Sequence, residues 1–320
     1  MKTAIIGMGV QGRKRQYVCG ENFAVWIDPH NKGQIFQEPY NRYDYIQDAP
    51  LDEYEAAIVC TPWQITFDTT KYLIENKKHV MAEKPLWCVG QSALKDLIYL
   101  AAKNEVVLYT AYNHRFEPSI QNAKDLLDNR KIGRVYFCRI FYGYGSVTHV
   151  QESSWQDDKN SIGIFGGMVP HLLDTLQFLF GGYSWFQNVE LVAENKFENK
   201  TPDHVIFKTN NGSAFIECEG TYFAWKNHFA VDIFGEKGSI HINDLVKWGE
   251  CQLEWRKRVY PSGVPKISKA TWCGDDESWQ KEWDYFKHLI ETEQYVHTQQ
   301  DNDLHYNYAI NKLWQQSRSQ

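Results

Sequence analysis

The sequence predicts an α/β protein of two parts: a doubly wound parallel sheet over residues 1–118, then an α+β part over 119–320 with an open, mostly antiparallel sheet and a last helix free to pack back on the first part. Three observations predict it. The first hundred or so residues alternate short β-branched, apolar runs with amphipathic stretches of about a dozen residues, the pattern of strand–helix–strand units and hence of a parallel sheet. The opening strand runs directly into Gly7, Gly9 and Gly12. Beyond residue 133 the pattern becomes one of strands separated by turn signals, among them Asn210-Asn211-Gly212 and Glu236-Lys237-Gly238. A chain of 320 residues is long enough to bury two cores.

The first element, "KTAIIGMGVQGRKRQYVC", reads as strand, glycine turn and helix, which is G-x-G-x-x-G in the setting it requires. Gly7 permits the tight turn, Gly9 lets backbone approach a pyrophosphate, and Gly12 lets helix pack closely on strand. Val10 and Gln11 lie at the start of that helix, whose N-terminus carries an anion. The second strand, "FAVWID", ends in Asp28, 21 residues after Gly7, where a carboxylate accepts hydrogen bonds from both ribose hydroxyls. That spacing favours NAD. Lys32, or Arg13 to Arg15, offers a partner for a 2′-phosphate and keeps NADP open.

Next come "AAIVCTP" as a strand ending at Thr61-Pro62, "TFDTTKYLIENKK" as a helix, and "HVMAEKP" as a strand ending at Glu83-Lys84-Pro85. "SALKDLIYLAAKNE" reads as a helix and "VVLYTAYN" as a strand. Ligands of such sheets bind at the carboxyl ends of the strands, where both Thr61-Pro62 and Glu83-Lys84 fall. Pro85 cannot continue a ladder, so the backbone there takes a tight turn, trans or cis, able to aim Lys84 into a cleft. An amine beside a nicotinamide and a hydroxyl orients that hydroxyl and stabilises charge developing on its oxygen. A surface lysine in a turn is the plainer reading.

In the second part, "SIQNAKDLLDNRKIG" reads as a helix stopped by Gly133 and "RVYFCRIFYGYG" as a strand. Further strands follow in "FQNVELVAENKF", "DHVIFKTNNGSAFIECEGTYF" and "HFAVDIFGEKGSIHI". Residues 246–278, with Trp248, Trp255, Trp272 and "YPSGVP", show no clear period and read as a long loop or irregular strands covering a substrate or a partner subunit. The tail reads as two helices.

Composition removes several classes. A net charge of -6 gives no electrostatic footprint for nucleic acid. No apolar run approaches the roughly 18 residues that span a bilayer, and "MKTAIIGMGV" reads as a strand, not a signal peptide. The seven cysteines are odd in number, scattered and without a C-x-x-C pair, which fits reduced thiols in a cytoplasm and suggests no metal site.

Taken in order, Gly7-Gly9-Gly12, Thr61-Pro62, Glu83-Lys84-Pro85, "YNHRFEP" at 112–118, "KIGRVYF" at 131–137, "HLLD" at 171–174 and "GEKGSI" at 235–240 resemble the glucose-fructose oxidoreductase / inositol dehydrogenase / rhizopine catabolism (Gfo/Idh/MocA) family. The resemblance spans residues 1 to about 240. It implies an N-terminal Rossmann domain and a C-terminal domain whose open sheet forms the interface of a homodimer or homotetramer. It also implies NAD(P)-dependent hydride transfer to or from a sugar, polyol or sugar nucleotide. In that family the lysine of the E-K-P motif contacts substrate and nicotinamide ribose and maps onto Lys84. The last two residues of a D-x-x-x-H-x-x-D helix map onto His171 and Asp174, both expected at the substrate. Asn113 and Arg115, just beyond a strand end, are expected at the nicotinamide end of the cleft, Asn113 toward cofactor and Arg115 toward substrate.

Two positions depart from the family. Gly167 stands where the first Asp of that helix belongs, and Thr66 where a histidine commonly follows the T-P loop. Asp157, Asp158, Tyr142 and Tyr144 are candidates to replace the carboxylate. Pro170 is acceptable only near a helix start, so His171 is expected in a first turn, where the dipole lowers its pKa and favours a neutral, proton-accepting imidazole. Asp174, at i+3, shares its helix face and is placed to fix its tautomer. The expectation is a dehydrogenase in which His171 takes the hydroxyl proton while Lys84 polarises the oxygen. A dinucleotide-binding sensor or assembly protein without turnover is the alternative that Gly167 and Thr66 motivate; a ketone or imine reductase, or a lyase retaining its cofactor, is a third.

Overall fold

A computed structural model describes residues 1–30, 40–152, 155–158 and 161–319. The chain divides into two compact units, Met1–Tyr112 with Trp279–Asn307, and Asn113–Ser278 with Tyr308–Gln320. The first carries strands β1 (Thr3–Ile6), β2 (Phe23–Ile27), β3 (Asn41–Tyr43), β4 (Ala56–Val59), β5 (His79–Glu83) and β6 (Leu108–Ala111), with helices α1 (Val10–Cys19), α2 (Trp63–Glu75) and α3 (Gln91–Lys103). Its six strands are all parallel, in the order β3-β2-β1-β4-β5-β6. The order reverses between β1 and β4, so the loops after these two strands diverge and leave a crevice at their carboxyl ends.

The second unit carries α4 (Pro118–Asp128), β7 (Val135–Gly145), α5 (Val147–Glu152), α6 (Ile164–Gly167), α7 (Val169–Phe180) and α8 (Ser184–Gln187). Strands β8 (Glu190–Asn195), β9 (His204–Asn210), β10 (Phe215–Thr221), β11 (Phe223–Gly235), β12 (Gly238–Asn243), β13 (Cys251–Lys257) and β14 (Lys266–Trp272) complete its sheet. The order is β14-β13-β12-β11-β7-β10-β9-β8; only β7 and β10 run parallel. Cys138, Ile140 and Tyr142 of β7, Ile216 and Cys218 of β10, and Val231 and Ile233 of β11 are fully buried on one face, as the two-residue period of a half-covered sheet requires. On the other face Phe137 stacks with Phe215 and Phe234, each at 5.9 Å between ring centroids.

Two helices close the chain, α9 (Ser278–Glu291) and α10 (Thr298–Arg318). The first sheet needs α9. Its residues alternate between two cores: Ala4, Ile6, Val25, Ile27, Ala57 and Val59 pack with Leu73 and Ile74 of α2 and Leu94, Leu97 and Ala101 of α3. Ile5, Trp26, Ile58, Met81 and Tyr109 face the opposite way, where Cys19 of α1 meets Trp283, Phe286 and Leu289 of α9. Those three recur at i, i+3 and i+6, the apolar stripe of a helix with one buried face. The expected division at 118/119 therefore differs from the observed one. The first unit ends at Tyr112 and takes back Trp279–Asn307, because α1 alone leaves one face of its sheet partly uncovered.

Residues 246–278, expected as a loop or irregular strands, hold the regular hairpin β13–β14, paired from Cys251 with Trp272 to Lys257 with Lys266. β14 is an edge strand that buries neither face, so its sequence shows no alternation.

Candidate active site

In the first unit, the turn after β1 has the form of an anion cradle. Gly7 has φ 89, and a Cβ there would meet the Cys60 carbonyl at 2.7 Å. At Gly12 a Cβ would lie 2.1 Å from the Gly7 carbonyl, which fixes how closely α1 sits on the turn. Gly9 is the N-cap of α1, and a Cβ there meets nothing within 4 Å. No side chain caps this helix and no acid lies in its first turn, so its positive end remains for a ligand phosphate. Val10 and Gln11 lie exposed at that end.

Asp28 follows β2 and is 7% exposed; its carboxylate accepts the Met8 N–H at 2.7 Å and the His30 N–H at 2.8 Å. A carboxylate so placed is the acceptor that ribose hydroxyls require. The open space at Gly9, the uncapped helix and Asp28 fit a dinucleotide with a free 2′-hydroxyl. Arg15 does not serve a 2′-phosphate, against one expectation. It is 1% exposed, and its guanidinium bonds Glu83 and Glu282, each at 2.7 Å. Helical spacing turns Arg15 toward the sheet, where it holds the carboxylate that precedes Lys84. Lys32 lies outside the described residues.

Thr61 and Pro62 connect β4 to α2. The Thr66 hydroxyl lies 3.0 Å from the Thr61 carbonyl, 3.1 Å from the Pro62 carbonyl and 3.0 Å from the Thr61 hydroxyl. Thr66 thus ties this loop to its helix. Lys84 follows β5, and the Lys84–Pro85 bond is cis. Burial lowers the half-buried amine to about 8, partly opposed by Glu83.

In the second unit, α7 begins at Val169 with Pro170 in its first turn, as expected, and places His171 there, 6% exposed. His171 stacks on His114 at 4.0 Å and 12°, and the Tyr142 ring meets both imidazoles edge-on, at 5.6 and 5.1 Å. The Lys247 ammonium donates to His114 Nε2 at 2.8 Å, so His114 is a neutral imidazole with its proton on Nδ1. Lys247 also lies over the Trp248 ring at 4.6 Å. The Tyr142 and Tyr144 hydroxyls bond each other. Burial and these neighbours hold Tyr142 well above the ordinary phenol range, and burial takes Tyr144 to about 12.

Arg115 and Asp174 form an ion pair through both carboxylate oxygens, with Nε 3.3 Å from Oδ2. Asp174, fully buried, thus holds Arg115 in place. The Asn113 amide donates to Ser278 Oγ at 2.9 Å. Among the candidates to replace the missing carboxylate, Tyr142 and Tyr144 reach the His171 cluster. Asp157 instead accepts the Lys200 and Thr201 N–H groups, and Asp158 is exposed. The sequence gives no signal for His114, Lys247 or Tyr222 in this cluster, and marks Trp248 only as part of the aperiodic stretch 246–278. His114 lies inside a motif that points to its neighbours, and Lys247 and Trp248 lie within the apparent loop.

Fold and cradle together define a dinucleotide-binding oxidoreductase, and comparison with known proteins names the family. The profile described as "Oxidoreductase family, NAD-binding Rossmann fold" matches residues 1–112, and the "GFO/IDH/MocA C-terminal domain" profile matches 120–241. The chain belongs to the Gfo/Idh/MocA family, and its cofactor is NAD. It is 29% identical over 218 residues to myo-inositol 2-dehydrogenase of Thermotoga maritima, covering 66% of this chain and 61% of that one. It is 24% identical over 283 residues to 2,7-anhydro-N-acetylneuraminate hydratase of Mediterraneibacter gnavus, covering 81% and 72%. A levoglucosan dehydrogenase solved with NADH and levoglucosan shares the fold, with a TM-score of 0.79 at 18% identity over 100% of this chain and 97% of that one. No helix among the described residues is long and apolar enough to cross a membrane.

Proposed function

We propose that this protein oxidises or reduces a carbinol or keto carbon of a sugar, polyol or sugar nucleotide in the cytoplasm. The observation that carries the reading is His171 in the first turn of α7, stacked on a neutral His114 and bounded by phenols. NAD, when bound, supplies the acceptor or donor of a hydride; Gly7, Gly9, Val10, Gln11, Gly12, Asp28, Thr61, Pro62, Glu83, Lys84 and Asn113 are the residues proposed to hold it. In oxidation His171 accepts the hydroxyl proton and Lys84 stabilises charge growing on that oxygen. Arg115, fixed by Asp174, faces substrate with it.

The silent-sensor alternative loses its motive, because Thr66 has a local role in the T-P loop and Gly167 has a steric one, described below. The stacked phenylalanines on the open face of the second sheet support self-association of the chain through that face.

Initial rates of NADH formation or loss over a panel of polyols, aldoses, sugar acids and sugar nucleotides test the reading. We expect turnover of at least one class, with His171→Ala slower by roughly 10²–10⁴ and Lys84→Ala by roughly 10²–10³ in kcat/KM. Either variant at full rate removes that residue from the chemistry.

A further inference from the structure

Gly167 ends α6, four residues before His171, and a Cβ built there would lie 2.2 Å from the Tyr222 hydroxyl. A side chain at 167 fits only if that phenol shifts. Tyr222 joins β10 to β11; its N–H donates to the Asp203 carbonyl at 3.0 Å, and its own carbonyl accepts from Ser146 N–H at 3.2 Å. The residue is 5% exposed, and its hydroxyl makes no hydrogen bond among the described residues. A buried phenol therefore fills the place of a side chain at 167 and keeps its hydrogen to donate.

The surroundings fix the character of that donor. Burial, with Tyr144 and Asp203 nearby, holds Tyr222 well above the ordinary phenol range, so it stays neutral. Around His171 in this unit stand the phenols Tyr142 and Tyr144, the His114 imidazole and the Lys247 ammonium. The nearby carboxylates are engaged, Asp174 by Arg115, Glu117 by the Val246 N–H at 3.2 Å, and Asp203 by the Phe197, Glu198 and Asn199 N–H groups. A carboxylate at 167 would accept from a substrate hydroxyl and repel an anion. A neutral phenol with Lys247 nearby does the reverse.

We propose that Tyr222 is a specificity-determining residue that donates its phenolic hydrogen to a carboxylate oxygen of the substrate, and that the preferred substrates are sugar acids. This rests on the oxidoreductase reading above.

The test uses the full-length protein with saturating NAD on matched pairs: D-glucuronate with D-glucose, D-galacturonate with D-galactose, and D-gluconate with D-glucitol. In at least one pair the acid is expected to have the higher kcat/KM by about tenfold or more. Tyr222→Phe should lower that value roughly 10- to 100-fold for the acid and leave its neutral partner within about twofold, as loss of one charge-assisted hydrogen bond requires. Preference for the neutral sugar, no turnover of any acid, or an unchanged acid-to-neutral ratio in Tyr222→Phe overturns the proposal. Fluorescence titration with NADH separates the two failures. A wild type that does not bind NADH sinks the oxidoreductase reading, whereas binding with an unchanged ratio sinks only the role of Tyr222.

Discussion

At Lys84, burial acts to strip the proton from the amine while Glu83 acts to keep it, and the outcome lies near 8, inside the range an assay can scan. Below that pH the group is an ammonium and can hold charge on a substrate oxygen; as pH rises through about 8 it loses that proton. We expect kcat/KM to fall across this limb, and Lys84→Arg, which stays charged, to abolish the limb in whatever activity it keeps. A rate that instead rises through pH 8 would make Lys84 the base. Gly167 carries a second prediction that needs no substrate. Gly167→Ala should lower the thermal midpoint by several degrees, and adding Tyr222→Phe should recover most of the loss, since it deletes the clashing oxygen. Additive losses in the double variant would show that the two positions do not meet. The sequence could mark Gly167 as a departure but not name its partner, because residues 55 apart in the chain meet only through the packing of the α6–α7 segment against β7 and β10.

Elements differ in how much of themselves they write into sequence. β1, its glycine turn and α1 were legible because three glycines and an acid at fixed spacing have few other uses, and α7 was legible from Pro170. The roles of Arg15 and Asp174 were not. Each is a charged residue whose partners, Glu83 and Glu282 for one and Arg115 for the other, come from distant elements. The outer strand β14 of the hairpin β13–β14 is illegible for the opposite reason, since an edge strand with no buried face leaves no period to read. α9 appeared as a helix, but which sheet it covers did not. Trp283, 1% exposed, should cost about 3–5 kcal/mol when cut to alanine. Chemical denaturation checks this, and a loss below about 1 kcal/mol would mean that α9 is not part of the first unit's core.

For the whole molecule, the open face of the second sheet makes its own prediction. Phe234, 40% exposed and stacked on Phe137, is replaced by glutamate with little strain within one chain, but not within a self-association that buries the stack. We expect light scattering to find the wild type as a dimer or larger and Phe234→Glu shifted toward monomer; a monomeric wild type would dismiss the interface. The first unit has a different consequence, which concerns time. Its sheet begins at Thr3, yet one face is covered by α1 alone until Trp283, Phe286 and Leu289 exist. A ribosome emitting this chain therefore holds a half-covered nucleotide-binding sheet while Asn113–Ser278 of the second unit is made. The first unit starts before the second and is completed only after Ser278, so a nascent chain stalled before residue 279 would display an apolar surface that the folded unit covers.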